Sequence, residues 1–469
     1  MKESVFKAYD IRGTVGKDFL LESVSDLGYA IAYFFRKHYP HTKTIVIGRD
    51  GRINSPEIQK NIINSLIESG FCVIDIGLVP SPVLYFALHT KPWDAGIIVT
   101  ASHNKKEDNG IKINIAKNAV TSVEIQQIKE YYIEKKVPFF NDTGILQKYN
   151  IIDEYINFLK KSFPELIDSS ISFVIDCGNG TSGVIIPTLI QEMKLKNAKI
   201  ICENVDGNFP NHDANPTKIE NMQDVLIELK TEKFEVGIGI DADGDRMAAM
   251  TASGILLAGD TLLTIFVRDL LKEQSFSVKT LKDKEKTTVV CNVLSSDILM
   301  NFLENQGAKI IMVPVGNGIM RAEIKKNNAQ LGAETSGHFF FSDNYFGFDD
   351  GIYASLRLLE LLQNTQKTLD ELLSELPEKF SSPEFRLPCS SEEKNIILEQ
   401  ATDYFKKEPC SLLLIDGIRV QYKEGWILIR PSNTESLLSI RFESKTEEGY
   451  ETLKDHVTNI LPLSFGKLI

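Results

Sequence analysis

A threefold repeat of short apolar strands, each followed by a turn and a helix, constrains the fold of this chain most strongly. The first strands of the three copies are β-branched runs at residues 44–48, 173–177 and 288–292. The second strands lie at residues 72–76, 199–202 and 309–313. Strands that alternate with helices predict α/β units in which most strands pair in parallel. The sequence therefore predicts three related α/β domains in succession.

Each copy also has a third strand that ends in a polar loop. The three loops hold residues 100–104, 241–246 and 334–338. In open α/β sheets, ligands bind beyond the carboxyl ends of the strands, where such loops lie. We therefore expect the functional residues in these loops.

The length of 469 residues also predicts several domains, because one core rarely serves more than about 250–300 residues. After about residue 365 the repeat stops, and a linker with Pro383 and Pro388 precedes a smaller α+β domain. The predicted domains are a first α/β domain with the serine loop, a second with the acidic loop, a third with the loop at residues 334–338, and a C-terminal α+β domain. Their boundaries are 1–145, 146–252, 253–365 and 366–469.

Charge and cysteine content exclude several classes of partner. The net charge of −12 is evidence against binding to nucleic acid or to an acidic membrane, because it implies no basic surface. No apolar run is long enough to span a bilayer, and the N-terminus has no signal region. The six cysteines lie far apart, which favours neither a zinc site nor disulfides. We expect a cytoplasmic protein.

The first polar loop contains a candidate nucleophile. Ser102, His103 and Asn104 directly follow the apolar run at residues 95–99. A serine at the end of a buried strand is accessible to a phosphoryl group. A turn without any chemistry is the simpler alternative for such residues considered alone.

The second polar loop predicts a metal site. Asp241, Asp243 and Asp245 follow a buried strand at alternate positions and precede Arg246. Crowded carboxylates raise one another's pKa, so a bound cation is the natural way to keep them charged. Hard oxygen ligands favour Mg²⁺. A solvated acidic turn is the alternative.

Four further segments carry polar groups suited to a sugar phosphate. Arg12 precedes a glycine turn, and its planar guanidinium suits phosphate. Residues 332–338 offer an acid, hydroxyls and an imidazole for sugar hydroxyls, and the earlier loop at 315–318 is close to a strand end. Residues 430–436 combine an arginine, hydroxyls and an amide in one turn, which predicts a phosphate-binding loop, with a plain hairpin as the alternative. The glycines at 178–183 fit a dinucleotide fingerprint, but close packing of strand and helix explains them better.

These motifs, taken in order, resemble those of the α-D-phosphohexomutases over essentially the whole chain. The resemblance is greatest to the bacterial phosphomannomutase/phosphoglucomutase branch. It rests on residues 9–13, 100–104, 241–246, 332–338, 346–351 and 430–434. It implies three related α/β domains and a C-terminal domain similar to the TATA-binding-protein fold.

The resemblance also implies a role for each site residue. Ser102 would be the phosphoserine, with Mg²⁺ held by its phosphate and by Asp241, Asp243 and Asp245. Transfer would be assisted by Lys112, Arg12 and Arg246, and His338 would be the general base. Substrate would contact Tyr9, His103, Asn104, Asn317, Glu334, Ser336, Arg430, Ser432, Asn433 and Thr434.

The activity that the resemblance implies is reversible conversion between hexose 1-phosphate and hexose 6-phosphate, with mannose, glucose or both as the sugar. A phosphoserine enzyme and a hexose 1,6-bisphosphate intermediate would carry the phosphoryl group, with one Mg²⁺ per chain and the bisphosphate as activator. We expect hexose phosphates as partners, and a monomer or weak homo-oligomer.

The sequence leaves alternatives for the sugar that is bound and for the class of protein. Dual-specificity members of the family carry His where this chain has Asn317 and Lys where it has Leu294, both near the sugar or its phosphate. Phosphoglucosamine mutase is therefore an alternative. A Mg²⁺-dependent phosphatase would not need the C-terminal phosphate loop, and a non-catalytic sugar-phosphate-binding protein would not need Ser102 with all three aspartates.

Overall fold

The computed structural model describes residues 1–138, 143–276, 287–432 and 437–461. The chain divides into two compact units, of which the first holds residues 1–259 and 336–371 and the second holds residues 260–335 and 372–469. Among the described helices, none is both long and apolar enough to cross a bilayer.

The strands and helices alternate along most of the chain. The strands are β1 Ile11–Thr14, β2 Thr44–Arg49, β3 Cys72–Leu78, β4 Ala95–Val99, β5 Asp108–Ile115, β6 Asn118–Ala119, β7 Ile145–Lys148, β8 Phe173–Asp176, β9 Ala198–Ile201, β10 Val236–Ile240, β11 Met247–Thr251, β12 Leu256–Leu257, β13 Thr288–Asn292, β14 Lys309–Val313, β15 Leu331–Ala333, β16 Phe339–Phe341, β17 Phe380–Ser381, β18 Phe385–Pro388, β19 Ser411–Leu413, β20 Ile418–Gln421, β21 Gly425–Pro431 and β22 Leu437–Ser444. The helices are α1 Val24–His38, α2 Ser55–Glu68, α3 Ser81–Thr90, α4 Ser122–Ile133, α5 Ile152–Ser162, α6 Ile186–Met193, α7 Gln223–Glu232, α8 Gly259–Phe276, α9 Asp297–Asn305, α10 Asn317–Asn327, α11 Gly351–Thr365, α12 Leu369–Ser374, α13 Ser391–Phe405 and α14 Glu447–Ile460.

The first unit contains two mixed sheets. The first sheet has the order β1-β5-β4-β2-β3-β7, with β6 paired to β5, and its central strands β4, β2 and β3 run parallel. The second has the order β12-β11-β10-β8-β9, with β10, β8 and β9 parallel. Strands β4 and β10 are buried at every residue, as expected of apolar strands covered by helices on both faces. The predicted functional loops begin at the carboxyl ends of these two strands.

The second unit contains a parallel set of strands and an antiparallel sheet. Strand β13 pairs in parallel with both β14 and β15, as the third repeat predicts. The C-terminal sheet is antiparallel in the order β17-β22-β21-β20-β19, with β18 also paired to β22. Its core includes Val420, Ile429, Ile440 and Phe442, packed against α13 and α14. These elements confirm the predicted α/β class with an α+β C-terminal domain. The likeness to the TATA-binding-protein fold stays a prediction.

The region around Pro388 differs from the predicted linker. Residues 385–388 form strand β18, which pairs with β22 from Phe385 opposite Ile440 to Pro388 opposite Leu437. A proline is tolerated there because it ends a strand at the sheet edge, where its missing N–H leaves no ladder bond unmade.

Candidate active site

The Ser102 loop begins directly after β4, and its backbone is held in an unusual conformation. Ser102 has a φ of 51°, in the left-handed region that non-glycine residues seldom adopt. The residue is only 2% exposed, so the prediction of an openly accessible serine is wrong, because the acidic loop packs beside it. Its N–H donates to Thr100 Oγ1 at 2.8 Å. Its hydroxyl donates to Asp241 Oδ2 at 3.2 Å and lies 3.3 Å from His103 Nδ1. Because strained backbone often marks functional sites, this conformation supports a role for Ser102 beyond packing.

A buried arginine holds the backbone of this loop in place. The Arg52 side chain is 1% exposed, and its Nε donates to Asp50 Oδ2 at 3.1 Å. Its two Nη atoms donate to the carbonyl oxygens of Ser102 at 2.6 Å, Asn104 at 2.7 Å, Lys105 at 2.6 Å and Asp108 at 3.0 Å. One guanidinium therefore fixes four peptide groups of the loop, and Asp50 compensates its buried charge.

Arg12 contacts the same loop from strand β1. Its Nη1 donates to Asn104 Oδ1 at 2.8 Å, and its Nη2 pairs with Asp10. Burial disfavours the charge on Arg12, but Asp10 and Asp243 outweigh burial and raise the pKa of Arg12. Burial also lowers the pKa of His103 well below its usual range, helped by Arg246 and Arg12. The loop thus combines a fixed positive charge with a neutral imidazole.

The acidic loop lies beside Ser102 and is completely buried. The side chains of Asp241, Asp243 and Asp245 are 0% exposed, and their ligand oxygens lie within 4.8 Å of one another. Gly244 makes the turn with a φ of 77°, which favours glycine. Burial, followed by the charges of Asp245 and Asp243, raises the pKa of Asp241 well above its usual range. Three carboxylates this close need positive charge nearby.

Lys112 and Ser81 supply part of the compensation from the first sheet and its helix. Lys112 Nζ donates to Asp243 Oδ2 at 2.7 Å and to Asp245 Oδ2 at 2.6 Å. Burial disfavours the ammonium, but the two carboxylates raise the pKa of Lys112 well above its usual range. Ser81 Oγ also donates to Asp243 Oδ2, at 2.6 Å. The sequence did not single out Ser81.

The remaining carboxylate oxygens fit a divalent cation. Asp243 Oδ1 and Asp245 Oδ1 are buried and have no hydrogen-bond partner among the described residues. An unpaired buried oxygen of this kind is costly, and hard cations such as Mg²⁺ take oxygen ligands. Asp241 and the Ser102 hydroxyl add two further oxygens close by. An acidic group able to hold a metal is therefore present, as the sequence predicts.

His338 lies between an arginine and two aspartates. Arg246 Nε donates to His338 Nε2 at 2.9 Å. His338 Nδ1 lies 2.8 Å from Asp349 Oδ2 and 3.6 Å from Asp245 Oδ1. In a neutral ring the proton is therefore on Nδ1, since Nε2 is the acceptor. Before His338 can take a proton at Nε2, Arg246 must release that nitrogen.

The first unit also contains two predicted substrate residues with less defined surroundings. Tyr9 lies half-buried in the bend before β1, and Ser336 lies half-buried in the turn before β16. Their assignment to substrate stays a prediction.

In the second unit, Arg430 is buried at the end of β21 and held by an aspartate. Its Nε donates to Asp416 Oδ2 at 3.0 Å, and its Nη2 forms an ion pair with the same oxygen at 2.9 Å. Ser432 follows half-buried, with its N–H bonded to the carbonyl of Leu437 at 3.0 Å. Two other predicted phosphate-binding residues, Asn433 and Thr434, lie outside the described residues.

The second unit also brings two predicted sugar-binding segments together. Glu334 is 4% exposed, and its Oε1 accepts the N–H of Gly316 at 3.0 Å. Gly316 directly precedes Asn317, the first residue of α10. Leu294, in contrast, packs in an apolar cluster with Val293, Trp426 and Leu428. Its side chain is therefore part of a core, although the sequence comparison placed it near the sugar.

Family models match the chain in four successive segments. They are described as phosphoglucomutase/phosphomannomutase, alpha/beta/alpha domain I at residues 3–137, domain II at 153–254, domain III at 258–380, and C-terminal domain at 384–460. The chain belongs to this family. Membership confirms the resemblance that the motifs indicate, while the boundaries at 145, 252 and 365 stay predictions.

Relatives of similar length cover nearly the whole chain. The phosphomannomutase/phosphoglucomutase of Pseudomonas aeruginosa is 34% identical over 459 residues, which is 98% of this chain and 95% of the relative. A Methanosarcina barkeri protein named probable phosphoglucosamine mutase is 33% identical over 448 residues, 94% of this chain and 95% of the relative. A solved structure of a phosphoglucomutase/phosphomannomutase family protein from Burkholderia thailandensis is 29% identical, with a TM-score of 0.88 and coverage of 100% of this chain and 98% of that one.

Three residues that organise the site were missed by sequence reasoning. Arg52, Ser81 and Asp416 act through backbone groups or through another side chain. A usable signal existed only for Arg52, in the dense run of glycine, arginine and aspartate at residues 48–52, which begins with the last two residues of β2. Ser81 and Asp416 occupy ordinary turn and helix-start positions, where serine and aspartate are common.

Proposed function

We propose that this member of the family is a phosphohexomutase that interconverts hexose 1-phosphate and hexose 6-phosphate, with mannose, glucose or both as the sugar. The observation that carries the proposal is the buried Ser102 hydroxyl bonded to one of three crowded, incompletely paired carboxylates. A nucleophile, fixed cations and a candidate metal site are the parts that phosphoryl transfer requires. The name of the Pseudomonas relative supports the same activity.

In the proposed cycle, Ser102 carries a phosphoryl group and donates it to the free hydroxyl of a bound hexose monophosphate. The bond from phosphorus to Ser102 Oγ breaks as the bond to the sugar oxygen forms, which gives a hexose 1,6-bisphosphate. The bisphosphate then turns over, and Ser102 Oγ recovers the other phosphoryl group. Because Ser102 Oγ can take a phosphoryl group from the bisphosphate and release a hexose monophosphate, trace hexose 1,6-bisphosphate would activate enzyme whose serine is unphosphorylated.

The chain's own residues would position the reaction and neutralise its charge. Lys112 and Arg12 both carry charges that buried carboxylates enforce, so each can interact with phosphoryl oxygens without protonation changes. Arg246 would contribute a further guanidinium. When Arg246 leaves His338 Nε2 for a phosphate oxygen, that nitrogen becomes available to accept the proton of the attacking hydroxyl.

One Mg²⁺ per chain would be held by Asp241, Asp243, Asp245 and the Ser102 phosphate. When bound, it would supply positive charge to the phosphoryl group during transfer. The buried oxygens of Asp243 and Asp245 that have no hydrogen-bond partner among the described residues support this assignment.

Further residues would recognise the part of the substrate that does not react. Arg430 and Ser432, with Asn433 and Thr434, would bind the phosphate that stays on the sugar. Glu334, Asn317 and Ser336 would contact sugar hydroxyls, and Tyr9, His103 and Asn104 would contact the substrate near Ser102. We further propose that the protein is a monomer or weak homo-oligomer. We also propose a cytoplasmic location, which the six free cysteines support.

Glucosamine phosphate is a second candidate substrate. Asn317 stands where the dual-specificity members carry His, and the Methanosarcina relative is named for glucosamine. The choice of sugar is therefore part of the test.

Phosphorus NMR can follow the proposed reaction directly. The protein would be incubated with Mg²⁺, a trace of glucose 1,6-bisphosphate and, in separate samples, glucose 1-phosphate, mannose 1-phosphate or glucosamine 1-phosphate. We expect the glucose and mannose esters to become 6-phosphates. Conversion of glucosamine 1-phosphate alone would move the chain to the phosphoglucosamine branch.

Two serine variants make the result specific. Ser102→Ala should abolish conversion, whereas Ser170→Ala, at an exposed serine, should not. Release of inorganic phosphate without any 6-phosphate would indicate a phosphatase. Protein shown by mass to carry phosphoserine but inactive on all three esters would contradict the mutase proposal and favour a sugar-phosphate-binding protein.

A further inference from the structure

Asp416 is a buried carboxylate that none of the roles above includes. It lies in the turn between β19 and β20, and its side chain is 8% exposed. A single oxygen, Oδ2, accepts hydrogen bonds from Arg430 Nε at 3.0 Å and from the backbone N–H of Val315 at 3.1 Å, and it lies 2.9 Å from Arg430 Nη2 in an ion pair. One oxygen atom therefore contacts both the phosphate-binding arginine and the segment before α10.

That segment, residues 315–317, is held from a second direction as well. The N–H of Gly316 donates to Glu334 Oε1 at 3.0 Å, next to the N–H of Val315 that donates to Asp416. Two adjacent peptide groups are thus bound by carboxylates from two separate parts of the chain. Asn317, the proposed sugar contact, follows immediately.

We propose that Asp416 is a positioning residue that fixes Arg430 and residues 315–317 as one recognition element for the phosphate and hydroxyls of a hexose phosphate. The inference rests on the proposed function, since it takes Arg430 as a phosphate ligand and Asn317 as a sugar contact. Its consequence is that the chain recognises the separation between phosphate and hydroxyls, and does not bind the two groups independently.

The physical basis is pre-organisation of a long, flexible cation. A free arginine side chain must lose its rotational freedom when it binds phosphate, and this cost weakens binding. The Nε hydrogen bond and the ion-pair contact of Nη2 with the same carboxylate oxygen limit the orientation of the Arg430 guanidinium before substrate arrives. Charge alone predicts the opposite effect, because Asp416 offsets the positive charge that attracts phosphate. The two effects predict opposite signs, so measurement decides between them.

Graded substitutions separate the two contacts of Asp416. Asp416→Asn keeps an oxygen that can accept from Val315 but removes the charge that orients Arg430. Asp416→Ala removes both. Asp403→Asn is a matched control, because Asp403 is exposed in α13 of the same domain and pairs with Lys406. Thermal unfolding of each variant verifies folding, and Asp416→Asn alone carries the test if the alanine variant does not fold.

The first readout separates KM from kcat in the turnover of glucose 1-phosphate. We expect Asp416→Asn to raise KM roughly ten-fold, with kcat changed less than about two-fold, and Asp416→Ala to raise KM further. A KM that is unchanged or lower in Asp416→Asn would overturn the inference. Equal effects of the two substitutions would overturn the link to residues 315–317.

The second readout measures binding without chemistry. Calorimetry with glucose 6-phosphate, in a Ser102→Ala background, would compare Asp416→Asn, Arg430→Gln and the double variant. If Asp416 acts through Arg430, the double variant should bind within about two-fold of Arg430→Gln alone, whereas multiplied effects would contradict that route. Parent protein that neither converts nor binds any hexose phosphate would instead overturn the proposed function, and this inference with it.

Discussion

Two polar clusters lie at the carboxyl ends of the same sheet, and both contain residue types that bind metals. One is the acidic cluster of Asp241, Asp243 and Asp245 after β10. The other consists of Asp176, at the end of β8, Cys202, just after β9, and His212 in the loop beyond. Residue types alone would assign a metal to either one. Their hydrogen bonds separate them.

The Asp176 cluster is satisfied by its own groups. Asp176 Oδ1 accepts the N–H of Gly178 at 2.7 Å, and Oδ2 lies 2.9 Å from His212 Nε2. His212 Nδ1 lies 3.0 Å from the carbonyl oxygen of Asp213. Burial alone would lower the pKa of His212, but hydrogen bonds to Asp176 and Cys202 outweigh burial and raise it to about 11. A protonated ring is a donor on both sides and has no lone pair for a metal.

The acidic cluster has the opposite character. Its carboxylates repel one another, and two buried oxygens have no hydrogen-bond partner among the described residues. The clusters are also linked, because Thr181, in the segment after Asp176, donates through its N–H and hydroxyl to the carbonyl of Ala242 at 2.9 and 3.0 Å. Gly180 permits this approach, since a Cβ there would lie 2.7 Å from Ala242 Cα. We infer that the Asp176 cluster, whose polar groups are hydrogen-bonded, helps to hold the acidic loop in position.

The largest expected effect distinguishes the clusters by activity. Asp243→Asn should lower kcat for hexose phosphate conversion by about 10³-fold or more, because it removes a charged ligand where phosphoryl charge is neutralised. Stability without Mg²⁺ should change little, because relief of carboxylate repulsion offsets the loss of one of the two carboxylates that pair with Lys112. Steady-state kinetics and chemical unfolding measure the two quantities. Asp168→Asn, at an exposed carboxylate paired with Lys194, is the control, and a loss of stability without loss of activity would contradict the assignment.

Asp176→Asn should show the reverse pattern. Removing one partner of a buried ion pair leaves the imidazolium uncompensated, so the free energy of unfolding should fall by about 3 kcal/mol. Activity per folded molecule should remain within a few-fold of the parent. Unfolding in urea and kinetics below the transition measure both. A 10³-fold loss of kcat in fully folded Asp176→Asn would show that this cluster takes part in the chemistry.

Metal binding should stabilise the protein through the acidic cluster only. A ligand present at 100 times its dissociation constant stabilises the folded state by about 2.7 kcal/mol. Saturating Mg²⁺ should therefore raise the melting temperature of the parent and of Asp176→Asn, but not that of Asp243→Asn. Chelation with EDTA should reverse the increase. An equal increase in all three proteins would place the metal elsewhere.

Sequence patterns predicted those features that depend only on residues close together in the chain. The buried strands, the alternate carboxylates after β10 and the serine after β4 all follow from periodicity within a few residues. Arg52 and Asp416 could not be predicted in this way, because their partners are backbone groups that lie about 50 and 100 residues away in the sequence. The same limit explains Leu294. The family resemblance aligned Leu294 with a residue near the sugar, but its place in an apolar cluster with Trp426 is a tertiary contact that the alignment does not show.

The smallest expected effect is the titration of His212. In the parent protein this ring should stay protonated at pH 9, because its pKa is raised to about 11 from an ordinary value of 6.5. A group whose folded pKa is raised stabilises fully below its unfolded pKa, and this contribution declines from about pH 6.5 until it is lost near pH 11. The difference in unfolding free energy between the parent and Asp176→Asn should therefore be largest below pH 6.5 and shrink as the pH rises. Proton NMR of the His212 ring, assigned with His212→Gln, measures the pKa itself. A pKa near 6.5 in the parent would make the ring neutral at pH 9. A ring nitrogen of His212 would then have a lone pair for a metal, and the argument against a metal at the Asp176 cluster would fail.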